Sequence, residues 1–267
     1  MEVRKLVTIL FCDVVGSTAL GEATDPETTR KVMSLYAQAM AEVVRQHGGT
    51  VERFRGDEVM AVFGVPVVHE DDALRAVRAG MAMQRRLDPL NAELRETWGV
   101  ELACRVGINT GEVVAGDPAT GDSFVTGDAV NLAKRLEQAA AAGEVLIGTA
   151  TYPLVKEAVK VGPRERFSPK GKREPVGRFR LDHVDPTAPA YSRRLDAPLV
   201  GRAAELERIR SAIDGLLGQD RCGIVSIVGP AGIGKSRLAR ELVTRLATRA
   251  RVASGRCLPY GSGITYW

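Results

Sequence analysis

One short stretch near the start of the chain constrains the fold more than any other. Residues 7–12 form a largely apolar run with β-branched and aromatic side chains, and Asp13 follows directly. Such a run predicts a buried central strand. Gly16, Ser17 and Thr18 come next, and a turn of these small residues can direct backbone N–H groups toward an anion. The stretch therefore predicts a strand that ends on a carboxylate beside an anion-binding turn.

Two interpretations of Asp13 remain open at this point. The carboxylate could cap the helix that follows, which is a common role for Asp in front of a helix. Alternatively, it could hold a hard cation beside a polyphosphate, because such cations prefer oxygen ligands. Residues 50–64 bear on this choice, since they predict a hairpin with Gly56 and Asp57 at its turn. Asp57 offers a second turn carboxylate next to the predicted anion-binding loop.

Helix and strand signals alternate through the rest of the first 184 residues. Asp25 followed by Pro26 predicts a helix start, and Gly48-Gly49 predicts the end of that helix. Residues 69–72 are predicted to start a second long helix with acidic side chains at its positive end. Further strands are predicted at 100–109, 113–116, 123–127, 145–147 and 179–181, with residues 110–112 as the turn of a second hairpin.

A third helix is predicted to follow the short strand at 123–127. Asp128 is expected to cap it, and the helix continues to about Glu137. Asn131 and Arg135 are four residues apart, so their side chains should project from the same helix face. A planar guanidinium on that face suits phosphate oxygens. On their own, these two residues would equally fit an ordinary solvated polar face.

Composition limits the class of protein. Of the 267 residues, 45% are hydrophobic and 26% charged, which is typical of a soluble globular protein. The net charge of +4 is spread over interspersed basic and acidic residues, so nothing indicates a nucleic-acid partner. The four cysteines are widely spaced without a CxxC pair, which favours reduced thiols and a cytoplasmic location. Neither a membrane span nor a signal peptide is predicted.

The sequence changes character after residue 184. Residues 185–198 are predicted to be a linker, and a helix follows in the segment 199–217. Residues 222–228 predict a buried strand, and they lead into a match to G-x-x-x-x-G-K-[ST] followed by a helix. This pattern is typical of a loop that binds the phosphates of ATP with Mg²⁺. Its phosphate-binding positions are Gly229, Gly232, Gly234, Lys235 and Ser236.

The segment 199–267 is predicted to be the N-terminal part of a truncated α/β P-loop domain. No apolar strand ending in Asp follows Ser236 to serve as the second metal-coordinating element. We therefore expect weak nucleotide binding at most, without hydrolysis. The start of the segment, residues 199–206, is similar to the start of AAA-type ATPase modules in multidomain bacterial regulators.

Four segments of the preceding region carry a second resemblance. Residues 8–18, 54–57, 107–112 and 126–137, in this order, resemble the catalytic domain of class III adenylate/guanylate cyclases. The resemblance covers about residues 3–183. It implies an α+β, ferredoxin-like fold over residues 1–184 that acts as a homodimer. The cyclase domain followed by an ATPase module also resembles bacterial signalling proteins of that build.

The resemblance implies a role for each matched residue. Two metal ions, Mg²⁺ or Mn²⁺, would bridge the triphosphate and the carboxylates of Asp13 and Asp57, with the Val14 carbonyl as a further ligand. The partner subunit would supply Asn131, which orients the ribose, and Arg135, which stabilises charge developing on the α-phosphate. The expected activity is conversion of ATP to cyclic AMP and pyrophosphate.

Two positions depart from the usual pattern of the family. Adenylate cyclases usually carry Lys four residues before the second metal-binding Asp, where this chain has Arg53. They usually carry Asp or Thr seven residues before the Asn, where this chain has Phe124. Arg53 can donate to a purine but is bulkier than Lys, and Phe124 can stack on a base but accepts no hydrogen bond. The usual guanylate selectors are missing too. The two positions therefore do not decide between ATP and GTP as the substrate. The alternative function is a weakly active, nucleotide-sensing dimerisation module that regulates the attached ATPase.

Overall fold

The structure, a computed structural model, describes residues 3–116, 125–168, 175–188, 200–217, 222–229, 233–246 and 249–253. The described residues up to 188 belong to one compact unit and those from 200 onward to another. Most of the predicted linker, residues 189–198, lies outside the described residues, and its bounds stay predictions. None of the described helices has the length and hydrophobicity needed to cross a membrane.

A mixed β-sheet forms the centre of the first unit. Its strands are β1 (Val3–Val14), β2 (Thr50–Arg55), β3 (Glu58–Phe63), β4 (Cys104–Ala115), β5 (Val125–Thr126), β6 (Val145–Gly148), β7 (Val159–Val161), β8 (Glu165–Phe167) and β9 (Val176–Val184). The order across the sheet is β2-β3-β1-β4-β6-β9-β7, with β5 beside β4 and β8 beside β9. Among the described strands, only β4 and β6 pair in parallel. The prediction of a central strand at residues 7–12 is confirmed.

Five helices accompany this sheet in the part of the unit that the structure describes. They are α1 (Ser17–Ala23), α2 (Pro26–Gln46), α3 (Asp72–Trp98), α4 (Asp128–Ala139) and α5 (Tyr152–Val155). The predicted start of α2 is confirmed, because the Asp25 carboxylate accepts hydrogen bonds from the backbone N–H groups of Glu27 and Thr28 at 3.0 and 3.2 Å. Pro26 occupies the first turn, where its missing N–H costs nothing.

Replacing Asp25 with Ala is expected to lower the free energy of unfolding by about 1 kcal/mol, the usual effect of removing a helix N-cap. Urea denaturation measures the change. The Asp25→Asn variant keeps an accepting oxygen and should recover most of the loss. Equal stability of the wild-type and Asp25→Ala proteins would show that the cap contributes nothing.

The two faces of β1 belong to different cores. Leu10, Cys12 and Val14 pack against residues of α2 and α3. Val7, Ile9 and Phe11 pack on the other face with Ala129 and Ala133 of α4. Because side chains alternate along a strand, Asp13 continues the second series and lies on the α4 face of the sheet. This alternation of side chains decides which residues surround Asp13.

The predicted hairpin turn at residues 110–112 is wrong. β4 runs without interruption from Cys104 to Ala115 and pairs antiparallel with β1 over its whole length, with Thr8 opposite Thr110 and Val7 opposite Gly111. The glycines of this segment serve close packing instead of a turn. A Cβ on Gly107 would lie 2.1 Å from the Glu137 backbone N and 2.4 Å from the Ala133 carbonyl oxygen.

Gly111 completes the contact with α4. A Cβ there would lie 2.6 Å from the Ala129 Cβ. Two glycines four residues apart on one face of β4 therefore let α4 lie directly on the strand. The predicted capping role of Asp128 is also wrong: Gly127 is the N-cap, and Asp128 is the first helical residue. Its charge still favours the helix, because it lies in the first turn.

The second unit contains α6 (Ala203–Leu217) and α7 (Lys235–Leu246). Leu206 of α6 packs with Leu238, Leu242 and Leu246 of α7. The predicted buried strand at 222–228 is wrong for this structure: no strand forms there, and Ile224 and Val228 are 94% and 91% exposed. A strand needs a neighbour to pair its backbone groups, and the described part of this unit contains no other strand.

Candidate active site

Asp13 and Asp57 lie at the same end of two neighbouring strands. Asp13 is the second-last residue of β1, and Asp57 lies in the turn that leads into β3. The antiparallel register pairs Cys12 with Val59, so the next residue of β1 and the turn before β3 share one edge of the sheet. The Asp13 side chain is 14% exposed, and Asp57 is half-buried. The two predicted carboxylates therefore lie at one edge of the sheet.

The segment after β1 has the predicted small-residue turn. Gly16 adopts a left-handed conformation, with φ 75°, and is the N-cap of α1. Ser17 and Thr18 are the first residues of that helix, where backbone N–H groups have no partner within the helix. Val14 closes β1 between Asp13 and this turn. All these predicted residues therefore follow one another around the end of one strand.

Arg105 is the closest cation to Asp13 among the described contacts. The two residues are cross-strand partners of β1 and β4, so their side chains share the α4 face of the sheet. Arg105 Nη2 lies 3.0 Å from Asp13 Oδ2. The sequence analysis missed Arg105, because its position opposite Asp13 depends on the register between strands that are about 90 residues apart in the chain.

Arg105 belongs to a larger group of charges. Its Nε lies 2.6 Å from Glu137 Oε1, and Lys134 Nζ lies 2.5 Å from Glu137 Oε2. Lys134 also contacts the carboxylate of Glu58, the neighbour of Asp57 in sequence. We call the five residues the Glu137 network: Asp13, Arg105, Glu137, Lys134 and Glu58. It connects the strand end that carries Asp13 with the strand start beside Asp57.

Glu137 is the most deeply buried member of this network, with a fully buried side chain. The pKa of its carboxyl group is raised, because burial outweighs the opposing contact with Lys134. Burial lowers the pKa values of Lys134 and Arg105, but their carboxylate partners outweigh it, and both pKa values are raised. The two cations therefore stay charged, and their contacts favour the ionised form of Glu137.

Asn131 and Arg135 lie on a different face of α4. The residues of α4 that point into the protein are Ala129, Ala133, Leu136 and Glu137. Asn131 is exposed and Arg135 is half-buried. Helical spacing places the two on the side opposite the sheet, whereas Asp13 lies beneath the inner side. Within one chain, Asp13 and Asp57 therefore share a sheet edge, while Asn131 and Arg135 lie on the outer side of α4.

Arg53 lies on β2 beside an irregularity of the sheet. The register shifts between Val51 and Arg53, which leaves Glu52 as an extra residue, and its side chain is only 1% exposed. Arg53 Nη1 lies 3.7 Å from Glu52 Oε2. The other predicted base-contacting residue, Phe124, lies outside the described residues.

The donor set fits a hard divalent cation. Asp13 and Asp57 carry carboxylate oxygens at one sheet edge, and Val14 follows Asp13 directly. Oxygen donors of this kind are the ligands that Mg²⁺ and Mn²⁺ accept. Over the described ranges, no three His, Cys, Asp or Glu side chains gather into a metal-binding cluster.

The predicted phosphate loop is described in part. Gly229, Gly234, Lys235 and Ser236 are described, and Gly232 lies outside the described residues. Lys235 Nζ donates a hydrogen bond to the Gly229 carbonyl at 2.7 Å, so the lysine reaches back across the loop. Lys235 and Ser236 open α7, which places them at a helix N-terminus as the motif requires.

Comparison with known proteins covers both units. Residues 1–181 match the family described as the adenylate and guanylate cyclase catalytic domain, and residues 198–267 match the AAA ATPase domain family. Adenylate cyclase 1 of Rhizobium meliloti is 33% identical over 174 residues, which cover 63% of this chain and 26% of that protein. The chain spans about a quarter of the length of the first curated relatives it matches.

Two solved structures are similar in fold and in sequence. The guanylyl cyclase Cya2 is 35% identical with a TM-score of 0.66, and the match covers 69% of this chain and 95% of that one. The adenylyl cyclase CyaB from P. aeruginosa is 34% identical with a TM-score of 0.64, covering 73% of this chain and 98% of that one. These matches confirm the predicted α+β fold and the resemblance on which it rested.

Proposed function

Because the chain belongs, through residues 1–181, to the adenylate and guanylate cyclase catalytic domain family, we propose that it converts ATP to cyclic AMP and pyrophosphate with divalent metal ions. One observation carries the proposal: Asp13 and Asp57 lie at one edge of adjacent strands, beside the turn formed by residues 16–18. That edge offers oxygen ligands for metals and N–H groups for phosphate.

Asp13, Asp57 and the Val14 carbonyl would hold Mg²⁺ or Mn²⁺. The metal ions would supply activation of the ribose 3′-hydroxyl and charge neutralisation on the leaving pyrophosphate. Gly16, Ser17 and Thr18 would direct backbone N–H groups at the phosphates. The cyclic product forms when the 3′-oxygen bonds to the α-phosphorus, the bond to the pyrophosphate oxygen breaks, and the 3′-hydroxyl proton leaves to solvent.

The complete site requires a second copy of the chain. Asn131 and Arg135 face away from the sheet that carries Asp13 and Asp57, which supports a role for them in the site of a homodimer partner. Among the described residues, the Arg135 guanidinium forms no hydrogen bond or ion pair, and its planar fork suits the oxygens of a phosphate. Asn131 would orient the ribose. Each active site would thus draw residues from two protomers.

ATP is the preferred substrate in this proposal because the relative from Rhizobium meliloti is named an adenylate cyclase. GTP is the competing candidate, since the similar structure Cya2 is named a guanylyl cyclase. Arg53 and Phe124 would contact the base. We assign the chain to cytoplasmic signal transduction, with a P-loop that binds ATP with Mg²⁺ through Gly229, Gly232, Gly234, Lys235 and Ser236.

The test is a cyclase assay on the 267-residue chain with Mn²⁺ and either ATP or GTP. We expect cyclic AMP from ATP, and a fall of at least about 10³-fold in the Asp13→Asn variant, because several kcal/mol of metal-ion stabilisation are lost. The control is Asp182→Asn on the exposed part of β9, which should keep full activity. Equal activity of wild-type and Asp13→Asn proteins would refute the assignment, and cyclic GMP as the main product would correct the substrate.

The second candidate is the nucleotide-sensing module. The departures at Arg53 and Phe124 favour it, because neither residue has the hydrogen-bonding pattern usual for base selection in the family. It predicts that ATP with Mg²⁺ binds the first unit and that no cyclic nucleotide accumulates over long incubation. Ready turnover of either nucleotide would exclude it.

A further inference from the structure

The Glu137 network contains an unusual competitor for the proposed metal site. Arg105 lies 3.0 Å from Asp13 Oδ2, so its guanidinium occupies an oxygen that a metal ion would use. A cation bound to Asp13 also repels an incoming cation. Arg105 must therefore be held in a way that leaves Asp13 able to bind a metal.

Glu137 is placed to do this. Its buried carboxylate contacts Arg105 Nε at 2.6 Å, whereas Asp13 contacts a different nitrogen of the same guanidinium, Nη2. The same carboxylate contacts Lys134 at 2.5 Å, and Lys134 contacts Glu58. Arg105 therefore has a second, buried anionic partner that holds it when Asp13 binds another ligand.

The charges of the network support the same conclusion. Its carboxylates are Asp13, Glu137 and Glu58, and its cations are Arg105 and Lys134, so the carboxylates exceed the cations by one. Without the Glu137 charge, the two remaining carboxylates would be balanced by the two cations. Arg105 would then have Asp13 as its sole anionic contact among the pairs described.

From this arrangement we propose that Glu137 is a positioning residue for the metal site: it holds Arg105 and Lys134 so that Asp13 can release Arg105 and bind a divalent cation. The inference rests on the proposed function, because it takes Asp13 as a metal ligand. Glu137 itself touches neither metal nor nucleotide. It acts through Arg105, and its effect appears in metal affinity before any turnover occurs.

The experiment measures Mn²⁺ binding to the nucleotide-free chain by isothermal titration calorimetry. We expect Glu137→Gln to weaken Mn²⁺ binding about tenfold, which is the order expected for removing one charge near a divalent cation at a partly exposed site. Arg105→Gln should tighten binding by a similar factor, because it removes the competitor. The double variant restores the balance of charge and should bind Mn²⁺ as the wild-type protein does.

The controls separate this inference from the proposed function and from misfolding. Glu165→Gln changes a carboxylate paired with Arg178, outside the network, and should leave Mn²⁺ binding unchanged. Asp13→Asn should abolish binding at the site; if it binds Mn²⁺ normally, the proposed metal site is wrong. If Asp13→Asn loses Mn²⁺ while Glu137→Gln binds like the wild type, the positioning role alone is refuted.

Circular dichroism reports whether each variant folds. If Glu137 had a purely structural role, its replacement would lower stability. The two single variants would then not change Mn²⁺ affinity in opposite directions, and the double variant would not recover the wild-type affinity. If Glu137→Gln fails to fold, the Arg105→Gln variant still tests the inference. Tighter Mn²⁺ binding by this variant supports competition between Arg105 and the metal ion for Asp13, and unchanged or weaker binding overturns it.

Discussion

Replacing Arg135 with Ala is expected to lower the turnover number of the proposed cyclase reaction about 10³- to 10⁵-fold. This is the range known for arginines that stabilise the transition state of phosphoryl transfer. KM for ATP should change little, because the contact strengthens as charge develops on the α-phosphate. Arg135→Lys keeps the charge but loses the planar fork, so it should recover only part of the rate. Initial rates over a range of ATP concentrations separate the two parameters.

The matched control is Gln138→Ala, which removes an exposed neighbouring side chain from the outer side of α4. It should leave turnover within about twofold of wild type, as surface substitutions usually do. If Arg135→Ala also stays within that range, Arg135 has no catalytic role.

The same variant tests whether two chains share each site. Mixing inactive Arg135→Ala and Asp13→Asn proteins should restore about a quarter of wild-type activity. Random exchange makes half of the dimers mixed, and one of the two equivalent sites in each mixed dimer is intact. A mixture as inactive as its components would show that Asp13 and Arg135 act within one chain.

Replacing Gly107 with Ala is expected to cost more stability than any other single methyl addition on β4. The new Cβ would lie 2.1 Å from the Glu137 backbone N and 2.4 Å from the Ala133 carbonyl oxygen, so main chain must move. Overpacking of this kind costs about 1–3 kcal/mol and occasionally more. Because α4 would have to shift away from the strand, cyclase activity should fall together with stability.

Urea denaturation and the cyclase assay measure both effects. The matched control is Gly116→Ala, just past the end of the same strand, where an added Cβ meets no atom within 4 Å. It should leave the free energy of unfolding within about 0.5 kcal/mol of wild type. A Gly107→Ala protein of wild-type stability would contradict the close contact between β4 and α4.

The sequence predicted those elements that depend on neighbouring residues. The apolar run before Asp13 predicted β1, Asp25 and Pro26 predicted the start of α2, and Gly56 predicted the β2–β3 turn. In each case the signal lies within a few residues of the feature. The shared edge of Asp13 and Asp57 also needs the pairing of β1 with β3, which no local signal predicts.

Features that depend on tertiary contacts were missed. Gly111 reads equally well as a turn residue or as a site of close packing, and only the position of α4 decides between them. In the sequence alone, Arg105 and Glu137 cannot be distinguished from ordinary surface charges. Their contact depends on strand register and on the docking of α4. The apolar run at 222–228 read as a strand, but a strand forms only beside another one.

The position of β1 in the sheet also affects the order in which the protein can be built on the ribosome. Both neighbours of β1 come later in the chain, and β4 starts about 90 residues after β1 ends. At about 5–20 residues per second, the edge of β1 that pairs with β4 stays without its partner for roughly 5 to 20 s during translation. Throughout that interval the nascent chain carries a long apolar strand with an open edge, which makes it a natural client for a chaperone.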